Sequence, residues 1–137
     1  MFRQTPAFSG FSVDDIDAAR AFYAQTLGLE VEEVNGMLVL RLGGGGTVLV
    51  YPKGGDHAPA TFTVLNFPVD DIDRSVDALR AAGVRIETYP HMGDHDDRGV
   101  YRGDGPPIAW FTDPAGNVLS VLEETGPSAA GRQRARG

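Results

Sequence analysis

Three histidines and no cysteine set the chemistry open to this chain. Without thiols there is neither a disulfide framework nor thiolate catalysis. His91 and His95 share a polar run, His91-Met92-Gly93-Asp94-His95-Asp96-Asp97, and Tyr101 follows closely. Loops on rigid scaffolds carry chemistry, so His91, His95 and Tyr101, with Asp96 and Asp97 beside them, are the candidates for general acid–base work. Their spacing defines no nucleophile–base pair. Pro90 and Gly93 also oppose a helix that would turn both imidazoles to one face as metal ligands, and loop ligands need further groups to fix their orientation. A solvated acidic loop that lines or covers a site is the plainer expectation. The pairs Asp14-Asp15 and Asp70-Asp71 look catalytic at first sight. Both open helical segments, however, where carboxylates cap backbone N–H groups.

Those pairs belong to a repeat. Phe11-Ser12-Val13-Asp14-Asp15-Ile16-Asp17 returns as Phe67-Pro68-Val69-Asp70-Asp71-Ile72-Asp73, 56 residues later in a chain of 137. Self-similarity at this interval marks two copies of one supersecondary unit. In the first copy Ala7–Val13 reads as a strand. Asp14 or Asp15 caps a helix with Ile16, Ala19, Phe22, Tyr23 and Leu27 as its apolar stripe, and Gly28 ends it. Strands Leu29–Val34, Met37–Leu42 and Thr47–Tyr51 follow, joined by an Asn35-Gly36 hairpin and a looser Gly43–Gly46 turn. The second copy repeats the order, with strand Phe62–Val69, a helix carrying Ile72, Val76 and Leu79 inward, and Gly83 at its end. Strand Val84–Thr88 and a long polar loop from Tyr89 to Pro106 come next. Strands Pro107–Thr112 and Val118–Leu122 then flank the turn Asp113-Pro114-Ala115-Gly116-Asn117. The prediction is an α+β fold of two βαβββ modules, residues 7–52 and 62–122, forming a cupped mixed sheet with helices outside. They make one domain over residues 1–125, linked by Lys53–Ala60, with residues 126–137 as a disordered tail.

The formal net charge is −7, and residues 1–125 carry 9 basic against 19 acidic side chains. Such a surface repels nucleic acid and anionic membranes. No apolar run approaches the roughly 18 residues that span a bilayer, and the first residues lack the apolar core of a signal peptide. A cytoplasmic protein with neither nucleic-acid nor membrane partners is expected.

The repeat, the phrase Phe22-Tyr23-x-x-x-Leu27-Gly28-Leu29 and the turn Asp113-Pro114-x-Gly116-Asn117 together resemble the vicinal oxygen chelate superfamily. That superfamily includes glyoxalase I, bleomycin-resistance proteins and extradiol dioxygenases. The resemblance covers about residues 7–124. It implies a cup in which metal-dependent members carry His, Glu or Gln on the first and last strands of each module. Aligned on the helix starts and the last turn, those positions fall on Phe8, Val50, Val64 and Ser120. They form no ligand set, and shifts of two residues bring no imidazole or carboxylate. Neither a metal nor a cofactor is expected.

Strand alternation turns Ser12, Arg41, Asn66 and Phe111 toward the cup and Trp110 outward, although Trp110 equally suits the cup's floor. The ligand site is then Phe8, Ser12, Arg41, Val50, Val64, Asn66, Phe111 and Ser120, an apolar lining with a few polar groups. Arg41 either clamps a carboxylate or phenolate or pairs with a glutamate, and Asn66 and Ser120 either meet the ligand or bond each other. The leading expectation is a metal-independent protein that binds an apolar or aromatic small molecule. The alternative is a metal-free isomerase or lyase acting on a carbonyl compound through the loop, and a third reading is a dimeric scaffold with a vestigial cup. The resemblance and the prevalence of two-fold pairing imply a homodimer.

Overall fold

Asp15 starts the first helix as its position requires, its carboxylate accepting from Asp17 N and Ala18 N at 3.0 and 3.2 Å. The computed structural model describes residues 1–124. Helix α1 (Ile16–Arg20) widens at once into a π-helical segment, Ala21–Thr26. Leu27 N–H reaches back five residues to the Phe22 carbonyl at 2.9 Å. The wider turn lets two consecutive aromatics, Phe22 and Tyr23, both bury. Their rings meet edge to face at 5.1 Å.

The first module adds strands β1 (Ser9–Val13), β2 (Glu30–Val34), β3 (Met37–Arg41) and β4 (Thr47–Pro52). Their order is β1-β4-β3-β2, with β1 parallel to β4 and the other pairs antiparallel. Asn35 and Gly36, at φ 52° and 77°, make the tight β2–β3 turn that the dipeptide predicts. Helix α1 lies on β3 and β4. Beneath it Phe11, Val13, Leu38, Leu40, Val48 and Val50 form the core with Tyr23.

The second module has β5 (Thr63–Val69), α2 (Ile72–Ala81), β6 (Ile86–Glu87), β7 (Ile108–Thr112) and β8 (Val118–Glu123), in the order β5-β8-β7-β6. Asp71 caps α2 through Arg74 N at 3.1 Å. Glu123, from the end of β8, accepts a second helix-start bond from Ile72 N at 3.0 Å. Two carboxylates thus satisfy N–H groups that no helical carbonyl can reach. Helix α2 packs on β7 and β8 over Ile72, Val76, Ala109, Phe111, Leu119 and Val121. The anticipated strand Val84–Thr88 shortens to the two residues of β6. Tyr101 takes the next place on the edge of β7, exchanging backbone bonds with Ile108 at 2.8 and 3.1 Å.

The turn between β7 and β8 is held from within. Asp113 Oδ1 accepts from Ala115 N and Asn117 N at 3.0 and 2.8 Å, and its Oδ2 accepts from Asn117 Nδ2 at 3.1 Å. Asn117 Oδ1 in turn accepts from Ala60 N at 3.0 Å, tying in the segment before β5.

The chain is thus α+β, two βαβββ modules each built on an open four-stranded mixed sheet with its helix on one face. They fall in separate compact units, Met1–Ala58 and Pro59 onward. Among the described residues no helix is long and apolar enough to cross a membrane. The tail assigned to residues 126–137 lies outside the described residues.

Candidate functional site

Strand pairing decides which side chains share a face, because residues directly opposite each other point the same way. In the first sheet Val50 stands opposite both Phe11 and Leu38. All three lie under α1, and Val50 is fully buried. Val50 is therefore a core residue and not part of the open face, which corrects the expectation. The open face carries Gly10, Ser12, Val39, Leu49 and Tyr51 instead. Phe8 precedes β1 and is 66% exposed. Ser12 Oγ lies 2.7 Å from His57 Nδ1, which fastens the linker back onto β1. Arg41 pairs across the strands with Glu32 at 2.5 Å. Both partners are about half exposed, so the pair contributes little to stability.

In the second sheet Phe111 stands opposite Leu119, buried beneath α2, which corrects its placement in the site. Trp110, Ser120 and Asn66 form one row across β7, β8 and β5 on the opposite face, and Glu87 of β6 joins it beside Trp110. Val64 falls where the pairing of β5 with β8 shifts register, and it is half-buried. Ser120 Oγ donates to Asn66 Oδ1 at 2.6 Å, so these two polar groups bond each other. Trp110 is the aromatic floor.

The loop after β6 folds over this floor. Tyr89 meets Trp110 at 5.4 Å, His95 at 6.1 Å and Tyr101 at 6.4 Å between ring centroids. Both His95 nitrogens are in use. Nε2 accepts from Tyr89 N at 3.1 Å, and Nδ1–H donates to the Gly99 carbonyl at 3.1 Å. That pattern fixes the neutral tautomer and leaves no lone pair for a metal or a proton transfer. The Tyr101 ring packs tightly against Gly93 and against Gly103, which leaves no room for a Cβ. His91, exposed on a one-turn 3₁₀ segment (Pro90–Met92), stacks edge-on with Tyr89 at 6.1 Å.

On its other side the loop is anchored to α2. Arg98 grips Asp77 through two nitrogens at 3.1 and 3.3 Å, and Arg102 bridges Asp73 and Asp96 at 2.8 and 3.1 Å. Partial burial pushes the Asp96 carboxyl upward. The bonds from Val100 N, the Arg102 guanidinium and Arg98 N outweigh that and hold it below the usual carboxylate range. Tyr89 moves the other way, raised by burial and by the charge of Glu87, so it stays a neutral phenol.

Floor and loop enclose an open pocket of about 310 Å³. Phe62, Tyr89, His91 and Met92 wall it, Trp110 and Val118 lie at its base, and Thr61 and Thr63 add two hydroxyls. This is the lower end of small-molecule site volumes. Of the acid–base candidates only His91 reaches it. Phe62, Tyr89 and Met92 lie outside the expected site, and Trp110 takes the floor position that the sequence left open between it and Phe111. The signal for Trp110 was present, since the five-residue turn Asp113–Asn117 places Trp110 opposite Ser120.

The sequence profile of the Glyoxalase/Bleomycin resistance protein/Dioxygenase superfamily matches residues 7–121. The chain belongs to this superfamily. Among solved structures, TnmS3, an antibiotic binding protein from Streptomyces sp. CB03234, is similar at TM-score 0.67 and 20% identity, covering 91% of this chain and 99% of that one. The glyoxalase family protein from Enterococcus faecalis gives 0.64 and 22%, with 90% and 100% covered. Lactoylglutathione lyase from Agrobacterium tumefaciens gives 0.63 and 22%, with 88% and 95% covered. At such identities the likeness is one of fold. A search of curated protein sequences returns no match.

Metal-dependent members of the superfamily need imidazole or carboxylate ligands on the open sheet faces. Here those faces offer Gly10, Ser12, Leu49 and Tyr51 in one unit and Asn66 and Ser120 in the other, and their carboxylates, Glu30 and Glu32 on β2 and Glu87 on β6, stand apart on edge strands. Among the described residues no three His, Asp or Glu side chains converge as a divalent ion would require. Among the described residues the donor set does not fit a resident metal.

Proposed function

We propose that this protein binds an apolar or aromatic small molecule in the Trp110 pocket and does so without a catalytic metal. The observation that supports the reading is the pocket itself: a Trp floor, three further ring walls and a thioether, with two threonine hydroxyls as orienting groups. Aromatic walls with few polar atoms suit recognition of a flat apolar body. The antibiotic binding protein among the structural neighbours points the same way. Ser12, Arg41, Asn66 and Ser120 have protein partners, so we assign them to scaffolding.

The alternative, a metal-free isomerase or lyase, has weaker support. His95 spends both nitrogens on backbone groups, and that leaves His91 as the acid–base residue at the pocket. We further propose a protein of the cytoplasm that works as a homodimer; for the dimer, β1 and β5 each end the sheet of their own unit and Phe8 beside β1 is 66% exposed.

Mass spectrometry of the natively purified protein tests the reading. A co-purifying small molecule that perturbs Trp110 emission, the only tryptophan in the chain, supports it. Stoichiometric Zn, Ni, Mn or Fe released by substitution on an open sheet face overturns it. Sedimentation as a monomer at micromolar concentration overturns the homodimer.

A further inference from the structure

We infer that the ligand of the Trp110 pocket carries an alkylammonium group, held against the ring faces beside Glu87. The inference rests on the pocket reading above and adds the charge of the ligand. Ring quadrupoles present negative faces, and a cation among several of them is attracted most strongly when water is partly excluded. Phe62, Tyr89 and Trp110 supply the rings, and the polarisable sulfur of Met92 and the edge of His91 complete the wall.

Charge selects between the possible ligand signs. Among the described residues no Lys or Arg lines the pocket, so none of them offers an anion a guanidinium or ammonium there. Glu87 instead stands opposite Trp110 on the same sheet face. Its charge reaches the pocket wall, since it contributes to the raised pKa of Tyr89. Glu87 is only loosely compensated, because Arg85 approaches it at 3.8 Å from a side chain that is 87% exposed. The net charge of −7 adds a field that concentrates cations at the surface. A small quaternary or tertiary ammonium head, with an apolar body extending past the exposed Phe62, matches both the volume and the sign.

Three probes of one shape and different charge test this on the full chain: benzyltrimethylammonium, its neutral carbon isostere neopentylbenzene, and phenylmethanesulfonate. Binding is read by Trp110 emission and by calorimetry. The expected result is that the cation binds about tenfold more tightly than the neutral isostere, with the sulfonate weakest. Glu87→Gln should reduce the cation's advantage about threefold, and Phe62→Leu, at an exposed site that does not threaten folding, should reduce it further. If the neutral isostere or the sulfonate binds as tightly as the cation, the inference is overturned while the pocket reading survives. If none of the three perturbs Trp110, both fall together.

Discussion

Ser120 and Asn66 face each other across β8 and β5, joined by a 2.6 Å bond from the serine hydroxyl, yet only the serine is wholly buried. The two ends of this bond therefore differ in what their loss would cost. Asn66→Ala strands a buried hydroxyl without its acceptor and should destabilise by about 1–2 kcal/mol. Ser120→Ala leaves an amide that water can reach, and should cost less than half as much. Chemical denaturation of the two variants checks the order, and equal losses would refute the account.

Asp113 accepts three hydrogen bonds from inside its own turn while only 4% exposed. Asp113→Ala should cost about 3 kcal/mol, because the N–H groups of Ala115 and Asn117 lose a charged acceptor in a buried setting. The expected fall in melting temperature is about 10 °C. A fall under about 3 °C would mean that the turn is held by β7–β8 pairing alone.

The lowered Asp96 carboxyl makes a signed prediction about acid. A group depressed on folding binds its proton more readily in the unfolded chain, whose value is about 3.9. The stabilisation is therefore present above that pH and lost as pH falls through the lower folded value. Wild type should lose stability relative to Asp96→Asn on descending from about pH 5 to pH 2. Parallel melting curves of the two proteins across that range would contradict it.

The corrected face of β4 can be checked directly. Val50→Ala opens a void under α1 and should cost about 2 kcal/mol. Leu49→Ala, on the half-buried open face, should cost less despite removing more carbon. The reverse ranking would restore the original assignment.

Much of the scaffold was readable because local chemistry dictates it. Asp15 and Asp71 cap where carboxylates must, and Asn35-Gly36 turns where positive φ is needed. The two face assignments that failed, Val50 and Phe111, did so for a specific reason. Leu42–Gly46 and Asp113–Asn117 are both five-residue connections, closing on the pairs Arg41–Thr47 and Thr112–Val118. Counting back from those pairs sets Val39 beside Leu49, and Trp110 beside Ser120. Placing Arg41 with Val50, or Phe111 with Ser120, broke that parity. The pocket's loop walls were beyond such counting. Their positions depend on contacts far apart in sequence, such as Arg98 with Asp77 and Gly99 against Ile86.

The outer edge of β7 is divided between two segments, with β6 covering Phe111 and Trp110 and Tyr101 covering Ile108. Residues 90–100 therefore leave the sheet and return to it without supplying a rung to β7. Insertions or exchanges within that excursion can change the walls over Trp110 while each ladder bond of β5, β8 and β7 stays as it is. Specificity and scaffold can diverge on separate evolutionary clocks, with the excursion as an exchangeable cassette and Tyr101 as its fixed point of re-entry.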